Sequence, residues 1–181
     1  MDCRKRLRKV RDELGVNKRH SYDIAIRRRL LALPQVGDAS VIFIFISHGS
    51  EVDTRQCLEE LSQQGKTIAV PRILDKQTMI AAAFESWESL RPEQMGILAP
   101  QSREPVAEPI DVCITPGVGF SPTGGRLGYG RGYYDRWFSS RPHLFKVALA
   151  YECQILDDLP RDETDVLVDM IITEKRIIRV S

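Results

Sequence analysis

Six consecutive residues, Val41-Ile-Phe-Ile-Phe-Ile46, are all β-branched or aromatic, with no polar residue among them. A strand with one face in water alternates polar and apolar positions, so an unbroken run of this length predicts a strand covered on both faces. The run is far short of the roughly 20 apolar residues that cross a bilayer. Its flanks repeat the theme. A helical spacing of Cys57, Leu58 and Leu61 follows, with Asp53 or Thr54 as cap and Gly65 as stop, and then a short strand over Thr67–Val70 ended by Pro71-Arg72. Further apolar strands are predicted over 78–84, 111–115, 146–151 and 166–173, with 177–180 closing an edge. Strands that alternate with helices predict a three-layer α/β/α fold around a mostly parallel sheet. At 181 residues the chain is expected to form one domain, residues 1–181.

Two helices precede the first strand. Leu7, Val10 and Leu14 recur at helical spacing on a face opposite Arg and Lys, and 21–33 reads as a second helix capped by Ser21 and stopped by Pro34. Residues 1–33 hold 11 basic and 4 acidic groups, so this end carries +7 while the remainder carries −6. Such asymmetry suits a polyanionic small ligand or a nucleic acid, though the net charge of +1 counts against the latter. The charged N-terminus has no apolar stretch behind it, so no secretory signal is expected. Cys3, Cys57, Cys113 and Cys153 lie too far apart for a C-x-x-C pair and read as reduced thiols in a cytoplasmic protein.

The chemistry concentrates after the strand at 111–115. Seven of the 12 glycines fall within the 22 residues from Pro116 to Trp137. Glycine loses more backbone entropy on folding than other residues, so such density marks a main chain that must approach a ligand or take positive φ. Exposed N–H groups in such a loop, leading into a helix near Gly132, form an anion trap to which Arg126 and Arg131 add charge. Tyr129, Tyr133 and Tyr134 offer flat faces for an aromatic ligand, and Asp135 is a hard oxygen donor for magnesium. Asp165 and Asp169 lie about 13 Å apart if extended, so one of them is expected to reach a metal together with Asp135. Glu51 stands just past the first strand, where a polar heterocycle could donate to it.

Other motifs fail on context. Gly128-Tyr-Gly-Arg-Gly132 has the wrong spacing for a dinucleotide fingerprint and lies late in the chain. Gly65-Lys66-Thr67 sits between helix and strand rather than opening a helix. Ser47-His48 lacks a nucleophile elbow.

The basic first helix, Ile44-Phe-Ile-Ser47 leading to Glu51-Val-Asp-Thr54, Val70-Pro-Arg72, the stretch 111–120 and above all Arg126-Leu-Gly-Tyr-Gly-Arg-Gly-Tyr-Tyr-Asp135 resemble the 5-formyltetrahydrofolate cyclo-ligases. That resemblance implies a fold like those of ribose-phosphate isomerase and coenzyme A transferases. It also implies magnesium- and ATP-dependent cyclisation of 5-formyltetrahydrofolate to the 5,10-methenyl form. By position it implies ATP contacts from Arg4, Arg8, Arg126, Leu127, Gly128, Tyr129, Gly130, Arg131, Gly132, Tyr133 and Tyr134, with Arg126 and Arg131 catalytic. Folate contacts would come from Ile46, Glu51, Tyr129, Gly130, Arg131, Gly132 and Tyr133, and magnesium contacts from Asp135 and Asp165. Family members usually carry Lys where Arg4 stands, and Gly or Lys at Arg131. Small-molecule partners are expected, a reduced folate and ATP, with neither nucleic acid nor membrane, and a monomer. Two other readings are a different enzyme on the same fold, such as a sugar-phosphate isomerase or an acyl-transfer enzyme, and a basic nucleic-acid-binding module.

Overall fold

A computed structural model describes residues 2–93, 96–107, 109–160 and 162–180. The apolar run forms β1, Val41–Ile44, with every residue buried. Its side chains alternate between two cores: Ile42 and Ile44 enter one hydrophobic cluster while Phe43 enters another. Burial on both faces is what the missing alternation predicted, and each such side chain contributes about 1.5–3 kcal/mol when removed from water.

Parallel partners flank β1 on both sides. One is β2, Thr67–Ile73, reached through α4, Arg55–Gln63; the other is β6, Val112–Thr115. Beyond β6 lie β9, Phe145–Leu149, and β10, Met170–Ile172, both parallel. The edges are antiparallel: β3, Met79–Ala83, folds back on β2, and β11, Ile177–Arg179, on β10. Among the described residues this gives a seven-stranded sheet in the order β11-β10-β9-β6-β1-β2-β3. Two short ribbons stand apart, β4 (Arg91–Pro92) with β5 (Leu98–Ala99), and β7 (Gly119–Phe120) with β8 (Arg126–Leu127).

On one face α2, Val16–Leu31, α3, Pro34–Asp38, and α4 supply Ile26, Leu30, Val36, Leu58 and Leu61 to the core. On the other, α5, Tyr133–Ser139, sets Trp137 and Phe138 against Phe43, with the Trp137 and Phe43 rings 4.6 Å apart. The fold is therefore the mostly parallel three-layer α/β/α arrangement. Helix α1, Cys3–Asp12, packs Leu7 on Val118, Leu127 and Leu159. None of the described helices is long and apolar enough to cross a membrane.

Local readings needed three corrections. Helix α2 begins at Val16, capped by Gly15 rather than Ser21, whose hydroxyl donates to Lys18 O one turn back. Pro34 opens α3 at a first-turn position, where its missing N–H costs nothing, instead of merely ending α2. Strand β2 runs through Pro71 to Ile73, because β1 covers it only as far as Ala69 and β3 supports the remainder.

The connections run in opposite directions from the sheet centre: β1 leads through α4 to β2, while β6 leads through the β7–β8 ribbon and α5 to β9. Strand order thus reverses between β1 and β6, and the loops leaving their carboxyl ends frame a crevice of the kind that binds ligands in open α/β sheets. Those loops contain Glu51 and the glycine-rich stretch.

Within that stretch Gly124 turns the ribbon at φ +85°, where an added Cβ would sit 2.7 Å from Val168 O. Replacing Gly124 with Ala is expected to lower unfolding free energy by about 2 kcal/mol or more, through left-handed strain and backbone clash. Gly37→Ala, in the open surface of α3 with nothing within 4 Å of the new methyl, is expected to hold or raise it. Denaturant midpoints of the two variants check this.

Candidate active site

Arg126 on β8 is only 4% exposed and sits at the base of the glycine-rich loop. Its Nη2 donates to Asp135 Oδ1 at 2.8 Å, its guanidinium lies 5.4 Å from the Tyr134 ring centroid, and its Nε is buried without a partner. A guanidinium so far out of water needs its carboxylate, and the free Nε leaves one donor for an anionic guest. Asp135, in the first turn of α5, also accepts from Val166 N at 3.4 Å, tying that helix to the segment carrying Asp165.

Above this pair opens a cleft of about 620 Å³. Arg4, Arg126, Asp135 and Asp165 line it together with Leu127, Gly128, Gly130 and Gly132. Arg4 reaches across from α1 and donates from Nε to Gly128 O at 3.0 Å. Gly132 caps α5 at φ +64°, with Arg136 Nη1 only 2.8 Å from where a Cβ would stand. At seven residues α5 has little macrodipole, so the arginines supply most of the positive potential.

No group of three or more His, Cys, Asp or Glu side chains forms a metal cage among the described residues. Two carboxylates beside an arginine-lined cleft match magnesium's habit of binding one or two carboxylates along with phosphate oxygens. Asp169 belongs elsewhere: its Oδ2 accepts from Lys146 N at 2.7 Å and lies 3.1 Å from Lys146 Nζ.

The sequence profile of the 5-formyltetrahydrofolate cyclo-ligase family matches residues 1–174. The chain belongs to this family. It is accordingly an enzyme, a ligase. A probable 5-formyltetrahydrofolate cyclo-ligase of Schizosaccharomyces pombe is 30% identical over 88% of this chain and 87% of that one. The mitochondrial 5-formyltetrahydrofolate cyclo-ligase of Arabidopsis thaliana is 32% identical over 98% and 75%. Among solved structures, Aquifex aeolicus 5,10-methenyltetrahydrofolate synthetase superposes with a TM-score of 0.86 at 30% identity, covering 98% of this chain and 90% of its own. The Mycoplasma pneumoniae synthetase gives 0.74 at 26% identity, over 96% and 99%.

In this cyclo-ligase a second polar cluster adjoins the first. Tyr129 is partly exposed, and its hydroxyl donates to Glu51 Oε1, whose Oε2 accepts from His48 N at 2.9 Å. Burial of the hydroxyl end and the nearby Glu51 charge push the Tyr129 phenol well above its ordinary range. The loop bearing Glu51 is pinned by Thr54, whose Oγ1 donates to Phe45 O at 2.8 Å and accepts from Ser47 N at 3.0 Å. Ile46, 6% exposed, packs in the core at the foot of this loop.

Other expected residues lie further off. Arg8 is exposed on α1 and does not line the cleft. Arg131 is exposed too, and its carbonyl accepts from Arg136 Nη2 at 2.8 Å. The ring of Tyr134 is taken up by Phe43 and Phe138 and its hydroxyl is buried without a partner, so the stacking face expected of it is committed to the core. Tyr133 turns away and donates to Asp75 O at 3.0 Å on the β2–β3 turn.

Two residues escaped sequence reasoning. Arg136 binds Gln77 O at 3.0 Å and Arg131 O, clamping the glycine loop to the β2–β3 turn. Arg11, read only as part of a basic face, is 5% exposed and reaches both Ser50 and Tyr129. The Asp-Arg dipeptide after the tyrosines was a signal for the first; Arg11 had none.

Arg126 is part of the protein's interior as well as its cleft. Arg126→Ala is therefore expected to reduce unfolding free energy by about 3 kcal/mol, because Asp135 loses its buried partner. Arg131→Ala, on the exposed rim, is expected to change it by less than about 0.5 kcal/mol. Chemical denaturation of both variants tests the distinction.

Proposed function

We propose that the chain cyclises 5-formyltetrahydrofolate to 5,10-methenyltetrahydrofolate at the expense of ATP, releasing ADP and phosphate. The observation that carries this reading is the convergence of Arg4, Arg126, Asp135 and Asp165 with glycine backbone on one cleft, beside the Glu51–Tyr129 cluster joined to it through the same loop. The reading treats residues 1–181 as one catalytic domain.

The triphosphate lies against the backbone of Leu127–Gly132 and the side chains of Arg4 and Arg126. Arg126 Nε, which has no protein partner, can donate to a phosphate oxygen without giving up Asp135. Asp135 and Asp165 would hold magnesium, whose charge offsets that of the phosphates when bound. Arg8 and Arg131, exposed and outside the cleft lining, add positive charge that draws the polyanion toward the glycine loop before it seats. Tyr133 and Tyr134 contribute backbone and loop rigidity, since their hydroxyl and ring are engaged elsewhere.

The folate is oriented by Glu51, which accepts from donors on its heterocycle, and by Tyr129 and the loop through Tyr133, over the apolar floor that includes Ile46. Its formyl oxygen attacks the γ-phosphorus, and the bond from that phosphorus to the bridging oxygen of ADP breaks. The resulting imidate phosphate is attacked at its carbon by the neighbouring folate nitrogen, which closes the ring and expels phosphate. Both steps need charge stabilisation and alignment more than a protein nucleophile, so neither Cys3 nor Ser139 on the cleft wall needs a covalent role.

The test incubates purified protein with 5-formyltetrahydrofolate, ATP and magnesium. It follows the conjugated methenyl product by absorbance alongside phosphate release. One phosphate per product, and neither signal without ATP, is expected; Asp135→Asn and Asp165→Asn are expected to slow turnover by roughly 100-fold, as removal of a single electrostatic stabiliser does. Product formation independent of ATP, or wild-type rates in both variants, would overturn the assignment.

A further inference from the structure

Helix α1 meets the glycine loop and its β8 base at three points on one stripe. Arg4, Leu7 and Arg11 recur at three and four residues, so they share a face. Leu7 sits on Leu127, while Arg4 grips Gly128 O at 3.0 Å and Arg11 grips the Tyr129 hydroxyl at 3.1 Å. Arg4 faces the cleft assigned above to the nucleotide. Arg11 lies two turns further on, beneath the cluster assigned to the folate, and forms no ion pair among the described residues.

A buried guanidinium without a carboxylate is costly, so its hydrogen bonds decide what it does there. Arg11 Nε donates to Ser50 Oγ at 3.0 Å, and Ser50 Oγ in turn donates to Asp12. Arg11 Nη1 donates to Tyr129 Oη. Arginine has no acceptor, so the phenol receives from Arg11 and must point its own proton at Glu51. With Oε1 taken by the phenol and Oε2 by His48 N, Glu51 is held in one orientation as an acceptor for substrate donors.

We propose that Arg11 is a positioning residue for the reduced folate: through Tyr129 it fixes the direction of the hydrogen-bond chain and thereby the carboxylate that reads the heterocycle. This rests on the folate assignment above. The residue acts on one substrate only, because its contacts with the loop stop at Tyr129 while those of Arg4 serve the nucleotide side.

The test is a steady-state comparison of Arg11→Met, Arg11→Lys and Tyr129→Phe, varying 5-formyltetrahydrofolate at saturating ATP and then the reverse. Met keeps the aliphatic bulk of Arg11 without its donors. Arg11→Met is expected to raise KM for the folate about 10-fold, the scale of a lost hydrogen bond to a charged group. KM for ATP and kcat should stay within about 2-fold, the pattern of lost uniform binding to one substrate. Lys, which retains a donor, should recover most of the loss. Tyr129→Phe, which keeps the ring and removes only the hydroxyl, should reproduce the rise, and the double variant should be no worse than either single one. An unchanged folate KM in Arg11→Met, equal rises for both substrates, or additive effects with Tyr129→Phe would overturn the inference while leaving the ligase assignment intact. An unaltered protein that fails to turn over the folate would instead overturn the assignment, and the inference with it.

Discussion

The buried ion pair between Arg126 and Asp135 organises this molecule. It joins β8 to the first turn of α5 at 2.8 Å and fixes where the glycine loop between them begins and ends. Two charges taken from water cost several kcal/mol each, and their attraction recovers this only with good geometry and further hydrogen bonds. Here the surroundings help: two aromatic rings, Tyr134 and Phe138, face the guanidinium, and Val166 N donates to the carboxylate. A pair of this kind is less a source of stability than a constraint on which conformation is stable, and that conformation brings Asp135 to the same cleft as Asp165 and Arg4.

Everything else about the site follows from chain topology. The sheet places the β1 and β6 carboxyl ends side by side because their onward connections diverge. One loop supplies Glu51, the other the glycines, and α1 lies across the second through Arg4, Leu7 and Arg11. Glycine gives that second loop close backbone approach but no rigidity of its own. Rigidity comes from contacts outside it: Arg4 on Gly128, Arg11 on Tyr129 and Arg136 on the carbonyl of Arg131. Three arginines from two helices thus hold a loop that glycine alone would leave free.

The sequence was most legible where the pattern was local. The apolar run of β1, the helix around Leu58 and Leu61, and the glycine stretch after β6 each followed from composition over a few residues. The start of α2 was not legible: Ser21 is a good cap by type, but the helix begins at Val16 after Gly15, and the Ser21 hydroxyl donates to Lys18 O within it instead of capping. Pro71 in β2 misled for a similar reason, since the end of a strand depends on how far its neighbour reaches. Among site residues, the glycine loop and its flanking charges were visible, whereas the inward turn of the Tyr134 ring and the outward turn of Arg8 were not. Nor was the engagement of Arg11, whose partner Tyr129 is 118 residues away. Spacing reports which face of an element a residue occupies, not which distant loop will cover it.

The central claim is that Asp135, held by Arg126, belongs to a cleft for a magnesium–nucleotide complex. Its most direct measurement is the affinity of ATP by titration calorimetry, with and without magnesium, in the unaltered protein and in Asp135→Asn. The account predicts that magnesium tightens binding to the unaltered protein about 10-fold, on the scale of one charged contact, and that Asp135→Asn, still folded, loses most of that gain. Equal magnesium dependence in the two proteins would contradict it.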